Sequence, residues 1–143
     1  MRSGTSSRPR SAPRRPGSRP PAGSATVEDN LVAFANGFFD LLVEALPTVA
    51  GLLTEPLLLH RLLDEIHQGE LGPQYMQARL GDYLREEQLL GRLPAVDVTP
   101  AGTMLTGSVA VLALSSQFAA MPDRAALAAG LRPIVATILR GLA

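Results

Sequence analysis

From Val98 to Met121 the chain carries no charged residue. As one helix, such a stretch is long enough to span a bilayer; otherwise it must be surrounded by protein on most sides. Thr99, Thr103, Thr106, Ser108, Ser115, Ser116 and Gln117 are spread along it, with Pro100, Gly102 and Gly107. A lipid-facing helix rarely carries polar groups on every side. The stretch therefore reads as a helix buried in protein. Thr99 as N-cap and Pro100 at the first helical position mark its start.

The remaining chain must supply what surrounds it. Beyond residue 26 the apolar spacing is helical almost throughout, and no strand-like alternation persists. Phe34, Phe38, Leu41, Ala45, Val49 and Leu52 form one stripe of a helix from about Glu28 to Leu53. Asn36, Asp40, Glu44 and Thr48 step by four along another side as a solvated stripe, and Pro47 predicts a kink or break. Thr54 is read as the N-cap of a second helix, with Leu59, Leu63 and Ile66 inward and Gly69 as its end. A third begins near Pro73. Met76, Leu80, Tyr83 or Leu84, and Leu90 form its inner face, Arg79, Asp82, Arg85, Glu86 and Glu87 stay wet, and Gly91 closes it. A last helix runs from about Asp123 to Arg140. The expectation is an all-α fold of about five helices over residues 27–143.

Residues 1–26 form a different segment. Six arginines precede the first acid, Glu28, among proline, glycine and serine, and Leu, Ile, Val and Phe are absent from Met1 to Ala25. Such a composition cannot offset chain entropy. A disordered tail is expected, removable through residue 25 with little change in stability. From Ala25 onward seven arginines face thirteen acids, a net charge of −6 hidden within the overall zero. An acidic folded part repels a phosphate backbone, and the tail arginines lack the aromatic neighbours that stack bases. Specific DNA binding by this chain alone is not expected. Nothing reads as a signal peptide, since no apolar run follows Arg14-Arg15. A cytoplasmic location with no membrane partner is the default.

Few residues offer chemistry. The chain has no Cys, which excludes disulfides, thiolate metal sites and a cysteine nucleophile. His60, Asp64 and His67 share a helical stripe, but no H-E-x-x-H pattern or second cluster supports a metal. A wet face with a His60–Asp64 pair and an Arg61–Glu65 pair is the simpler reading. Adjacent acids at Asp64-Glu65 and Glu86-Glu87 diverge around their helix. Ser108, Ser115 and Ser116 have no nearby histidine, and no G-x-S-x-G, Walker or G-x-G-x-x-G pattern occurs. The chain is expected not to be an enzyme, with no cofactor and no metal.

The last two helices are apolar or small nearly all round. Leu127, Leu131, Ile134 and Ile138 lie on one side of the last helix, with Val135, Leu139 and Leu142 on another. Excess apolar surface calls for a second burial surface, most simply another copy of the chain. The small stripe Gly102, Thr106, Ala110, Ala113, Gln117 and Ala120 would let two such helices approach. The expected homodimer seam is thus Gly102, Thr106, Ala110, Ala113, Leu127, Leu131, Ile134, Val135 and Ile138. The competing reading is a central helix wrapped by its own neighbours.

The order of pieces, above all "YLREEQLLGRL…DVTPAGTMLTGSV" with "TILRGLA" at the end, resembles the C-terminal ligand-binding and dimerisation domain of TetR/AcrR-family transcriptional regulators of high-GC bacteria, over roughly residues 28–143. The resemblance implies dimerisation through the last two helices. It also implies an apolar cavity for a small lipophilic effector that controls DNA binding by a separate reader. That family's N-terminal helix-turn-helix reader has no counterpart between Met1 and Val27, which leaves a truncated regulator, a start lying upstream, or a stand-alone effector domain. Candidate cavity residues are Phe34, Phe38, Met76, Tyr83, Met104, Val111 and Phe118 as walls, with Ser108, Ser115 and Gln117 as polar anchors. The alternative is a non-enzymatic helical interaction module with a solid core.

Overall fold

The computed structural model describes residues 21–68, 73–118 and 123–143. Every regular element among them is helical: α1 (Val27–Leu52), α2 (Pro56–Gln68), α3 (Pro73–Leu89), α4 (Thr99–Phe118), α5 (Arg124–Ala129) and α6 (Leu131–Leu142). The all-α fold is as the periodicity predicts. The uncharged α4 is the hub, packed against α1, α3 and α6, while α2 touches α1 alone to any extent. The core is built from Leu31, Phe34, Ala35, Phe38 and Phe39 of α1, Met76, Leu80, Tyr83 and Leu84 of α3, Leu105, Val109 and Ala113 of α4, and Leu131 and Val135 of α6. Each large side chain buried this way contributes about 1.5–3 kcal/mol over exposure.

Local signals explain most boundaries. The Thr26 hydroxyl accepts from the Asp29 amide at 3.0 Å and caps α1. Glu28 and Asp29 complement the dipole of its first turn, and Arg132 of α6 bridges both at 3.1 and 2.9 Å. The Arg132 guanidinium, and after it the Thr26 hydroxyl, hold the Asp29 carboxyl below its ordinary value. α1 runs through Pro47 without a break, the proline lying exposed. Gly91, at φ +74°, ends α3: its amide reaches the Gln88 carbonyl and the Arg92 amide reaches that of Glu87, a Schellman closure that favours glycine.

Several boundaries differ from the sequence reading. Thr54 does not cap α2; its hydroxyl reaches back to Gly51 of α1, and the first α2 bond is accepted by Glu55. α4 starts at Thr99, whose amide is held by the Asp97 carboxylate at 2.9 Å. The last helix is divided at Gly130, because Pro133 has no amide to offer Ala129 and its ring crowds that carbonyl. Gly69, the expected end of α2, lies outside the described residues.

The segment read as the end of a free tail is seated. Gly23, at φ +79°, packs where a Cβ would meet Leu90 at 3.1 Å, so the position requires glycine. Its amide donates to Glu87 Oε1 at 3.1 Å, Asn30 Nδ2 donates to the Ser24 carbonyl at 2.6 Å, and Arg92 donates to the Ala25 carbonyl. Glu87, expected on the wet face of α3, is fully buried, with Arg92 Nε 3.1 Å from Oε2. Asn30 also donates to the Tyr83 hydroxyl at 3.0 Å. The stretch from Pro21 to Thr26, directly before α1, is therefore part of the folded unit. Leu90, expected inside, is exposed instead.

Val27–Leu52, Thr99–Phe118 and Ala125–Leu142 are long and apolar enough to cross a bilayer. In α4 the buried hydroxyls are bonded within the helix: Thr106 to Gly102 at 2.9 Å and Ser116 to Ala113 at 2.6 Å.

A chain beginning at residue 26 should be about 1–3 kcal/mol less stable than one beginning at residue 21, since Glu87 and Asn30 lose buried partners; paired urea melts measure the difference. Burial, with the Glu87 carboxylate acting in the same direction, pushes the Tyr83 phenol up to about 12. A phenol harder to ionise in the folded state stabilises it fully below the unfolded value of about 10 and loses that contribution as pH rises toward about 12. Urea midpoints should fall over that window, and less so for Tyr83→Phe.

Candidate functional site

The last three turns of α1 and the middle of α2 do not close on one another. Between them lies an apolar groove of about 350 Å³, lined by Phe38, Leu41, Leu42, Ala45, Leu46, Thr48, Val49, Leu62 and Ile66. Its size is at the small end of the ~300–1,000 Å³ typical of small-molecule sites. The groove exists because α2 has no fully buried residue. With Leu57, Leu58 and Leu63 exposed, α2 faces α1 through Leu62 and Ile66 rather than through Leu63. Thr48, read as part of a solvated stripe, is the one polar lining side chain. Ala45 sits there with an exposed, small side chain, leaving room that a larger residue would fill.

Of the cavity residues expected from sequence, only Phe38 lines this groove. Phe34 packs its ring 6.4 Å from that of Phe38 in the solid core, and Met76 and Tyr83 are buried in the same core. Met104 and Val111 are 56% and 63% exposed and line only shallow depressions on the outer α4–α6 face, not an enclosed chamber. Ser108 donates to the Met104 carbonyl at 2.7 Å on its own helix, and Gln117 is exposed, bonding Ser116 at 3.2 Å. Neither points into a chamber as an anchor.

The faces of α4 are arranged opposite to the sequence expectation. Gly102, Thr106 and Ala113, expected at a seam between copies, are buried against the chain's own helices. A Cβ on Gly102 would lie 3.9 Å from Leu80 of α3, and Gln77 of α3 reaches Thr106 at 3.3 Å. Small residues there admit α1 and α3. Leu131, Val135 and Ile138 of the expected seam are also in the core, Leu127 and Ile134 are half-buried against it, and Ala110 is exposed. Ala120 lies outside the described residues.

The outer face of α4 carries Met104, Ser108, Val111, Ser115 and Phe118 on one helical stripe, flanked by Gly107 and Leu114. Phe118 is 81% exposed. Ile134, Pro133 and Thr137 of α6 continue the face, and two shallow depressions run along the α4–α6 line, one around Met104, Ser108 and Ile134, the other reaching Ile138. No charge interrupts the α4 part of it. Exposed apolar patches occur at protein, membrane and ligand contacts alike.

His60, Asp64 and His67 are all exposed, and among the described residues no three potential ligands converge on a metal. Glu87 and Tyr83 form a buried pair whose remaining partners belong to the chain itself. Arg79 stacks 5.3 Å from the Tyr75 ring centre and donates to its hydroxyl at 2.8 Å, a brace within α3. Set beside protein-family profiles, curated proteins and solved structures, the chain matches none of them.

The two faces of α4 should respond differently to the same change. Ala113→Glu places an unpaired charge in the core and should cost about 3 kcal/mol or more. Val111→Glu, on the outer face, should leave the helical circular-dichroism spectrum and the fold intact.

Proposed function

We propose that this chain is the effector-binding and dimerisation part of a TetR/AcrR-like transcriptional regulator, in which a small lipophilic compound entering the α1–α2 groove controls a DNA reader outside these residues. The observation that carries the reading is the groove itself: an apolar slot of about 350 Å³ between two helices that are only loosely packed together. A ligand filling it would draw α2 onto α1, the kind of small helix displacement that a binding event can transmit. In this reading the chain acts in the cytoplasm, needs no cofactor and performs no catalysis. Its folded part is acidic and has no affinity of its own for specific DNA.

The partner in this reading is a second copy, seated on the outer face of α4 and α6. The protruding Met104, Val111 and Phe118 alternate with the shallow depressions around Ser108 and Ile134. A surface with both knobs and hollows can meet its own image about a twofold axis. The second reading, a helical interaction module without a ligand, is favoured by this same face and would leave the groove unused.

Two measurements separate them. Sedimentation should give a dimer at micromolar concentration, and Val111→Glu should give a folded monomer by bringing two like charges into a buried seam. A monomeric wild type would refute the dimer. In a thermal-shift screen, lipophilic compounds should raise the melting temperature by mass action, and Ala45→Phe should abolish the response by filling the slot. A wild type that responds to no compound in a broad lipophilic panel would leave the interaction module as the function.

A further inference from the structure

The α1–α2 groove joins walls with almost no hydrogen-bonding capacity to surroundings with an excess of negative charge. Inside, Thr48 alone offers a polar side chain, so a bound molecule is held by apolar burial and reaches at most one side-chain hydrogen bond. Around it, residues 40–68 contain five acids, Asp40, Glu44, Glu55, Asp64 and Glu65, against the single arginine Arg61. Asp40 has a partner of its own. Glu44 lies one turn before Thr48 and beside Ala45, and Glu65 lies beside Ile66 and three residues after Leu62. Both glutamates are exposed and absent from the lining, and the helical spacing sets each on the flank of a lining residue, Glu44 by Thr48 and Glu65 by Leu62. Arg61, one turn before Glu65, offsets one charge and leaves this region at −4.

Low-dielectric walls beneath an acidic rim focus a negative potential at the mouth of the groove. That field repels a carboxylate, sulfate or phosphate head. It also disfavours docking of α2 on an anionic lipid surface, although α2 has the apolar residues for it. We infer that the ligand of this groove is a lipophilic cation, its hydrocarbon body held between α1 and α2 and its positive head at the rim beside Glu44 and Glu65. The inference rests on the reading of the groove as the effector site and specifies the chemistry of that effector.

The test uses three probes of one chain length and different head charge: decyltrimethylammonium, decanol and decanoate, each below its micellar concentration, titrated into the full chain at low salt. The cation should bind about three- to ten-fold tighter than decanol, the range that two exposed charge pairs supply, and decanoate should bind more weakly than decanol. The double variant Glu44→Gln, Glu65→Gln should bring the cation to the level of decanol while leaving decanol unchanged, and high salt should do the same to the wild type. Decanoate binding as tightly as the cation, or a cation preference that survives the double variant, would overturn the inference while leaving the groove as a ligand site. Failure of all three probes, or binding that persists in Ala45→Phe, would instead remove the groove reading, and the inference with it.

Discussion

The packing of α4 against α1 is the contact on which the remaining structure depends. Both helices are long, and they pack more extensively on each other than any other pair. Ala35 of α1 and Ala113 and Val109 of α4 are completely buried, and Ala101 and Gly102 keep the start of α4 slim. Small side chains bring helix axes together, and large ones such as Phe34, Phe38 and Phe39 then fill the space beside the contact. Once α1 and α4 are joined, α3 and α6 have only the two flanks of the pair on which to bury their own stripes. α2 follows the far end of α1, beyond the reach of α4, and for that reason leaves a groove rather than a core.

A second constraint sits at the other end of α1. Glu87 is a buried carboxylate whose neighbours are a backbone amide, a guanidinium and a phenol. A carboxyl group in such a place is tolerated only with partners. These include Gly23 from the segment before α1 and Arg92 from the turn after α3. The requirement fixes the path of two otherwise irregular segments and ties the segment before α1 to the end of α3. This end of the molecule is held by directional polar contacts, while the α2 end is held by loose apolar ones. The proposed ligand groove thus lies at the end with least to lose by moving.

The sequence reading and the structure part company most instructively at α4. A helix that is apolar or small on nearly every side gives no preferred direction to its periodicity. Gly102, Thr106 and Ala113 invite close approach whether the approaching helix belongs to the same chain or to a copy. The own-chain solution prevails because α1 and α3 are already tethered nearby, and their apolar stripes must be buried in any state. The larger Met104, Val111 and Phe118 are left outside, where the sequence reading had placed a seam of small residues. Likewise the groove drew only Phe38 from the expected cavity residues, because a gap between two helices depends on their spacing, which no stripe records.

What the sequence determined by itself is the set of helices. Proline and glycine punctuation and the 3.6-residue apolar spacing act within a few residues of one another, so they survive without knowledge of the fold, whereas the Thr26 cap was seen only in the structure. The charge imbalance between the arginine-rich start and the acidic remainder is equally legible. The tertiary structure alone decided which face of α4 is interior, that Glu87 is buried, that residues 21–26 are seated on α3, and that a slot remains between α1 and α2. Each of these depends on residues far apart in the chain meeting in space, as Gly23 meets Glu87 across 64 positions, and on which of several apolar faces finds a partner first.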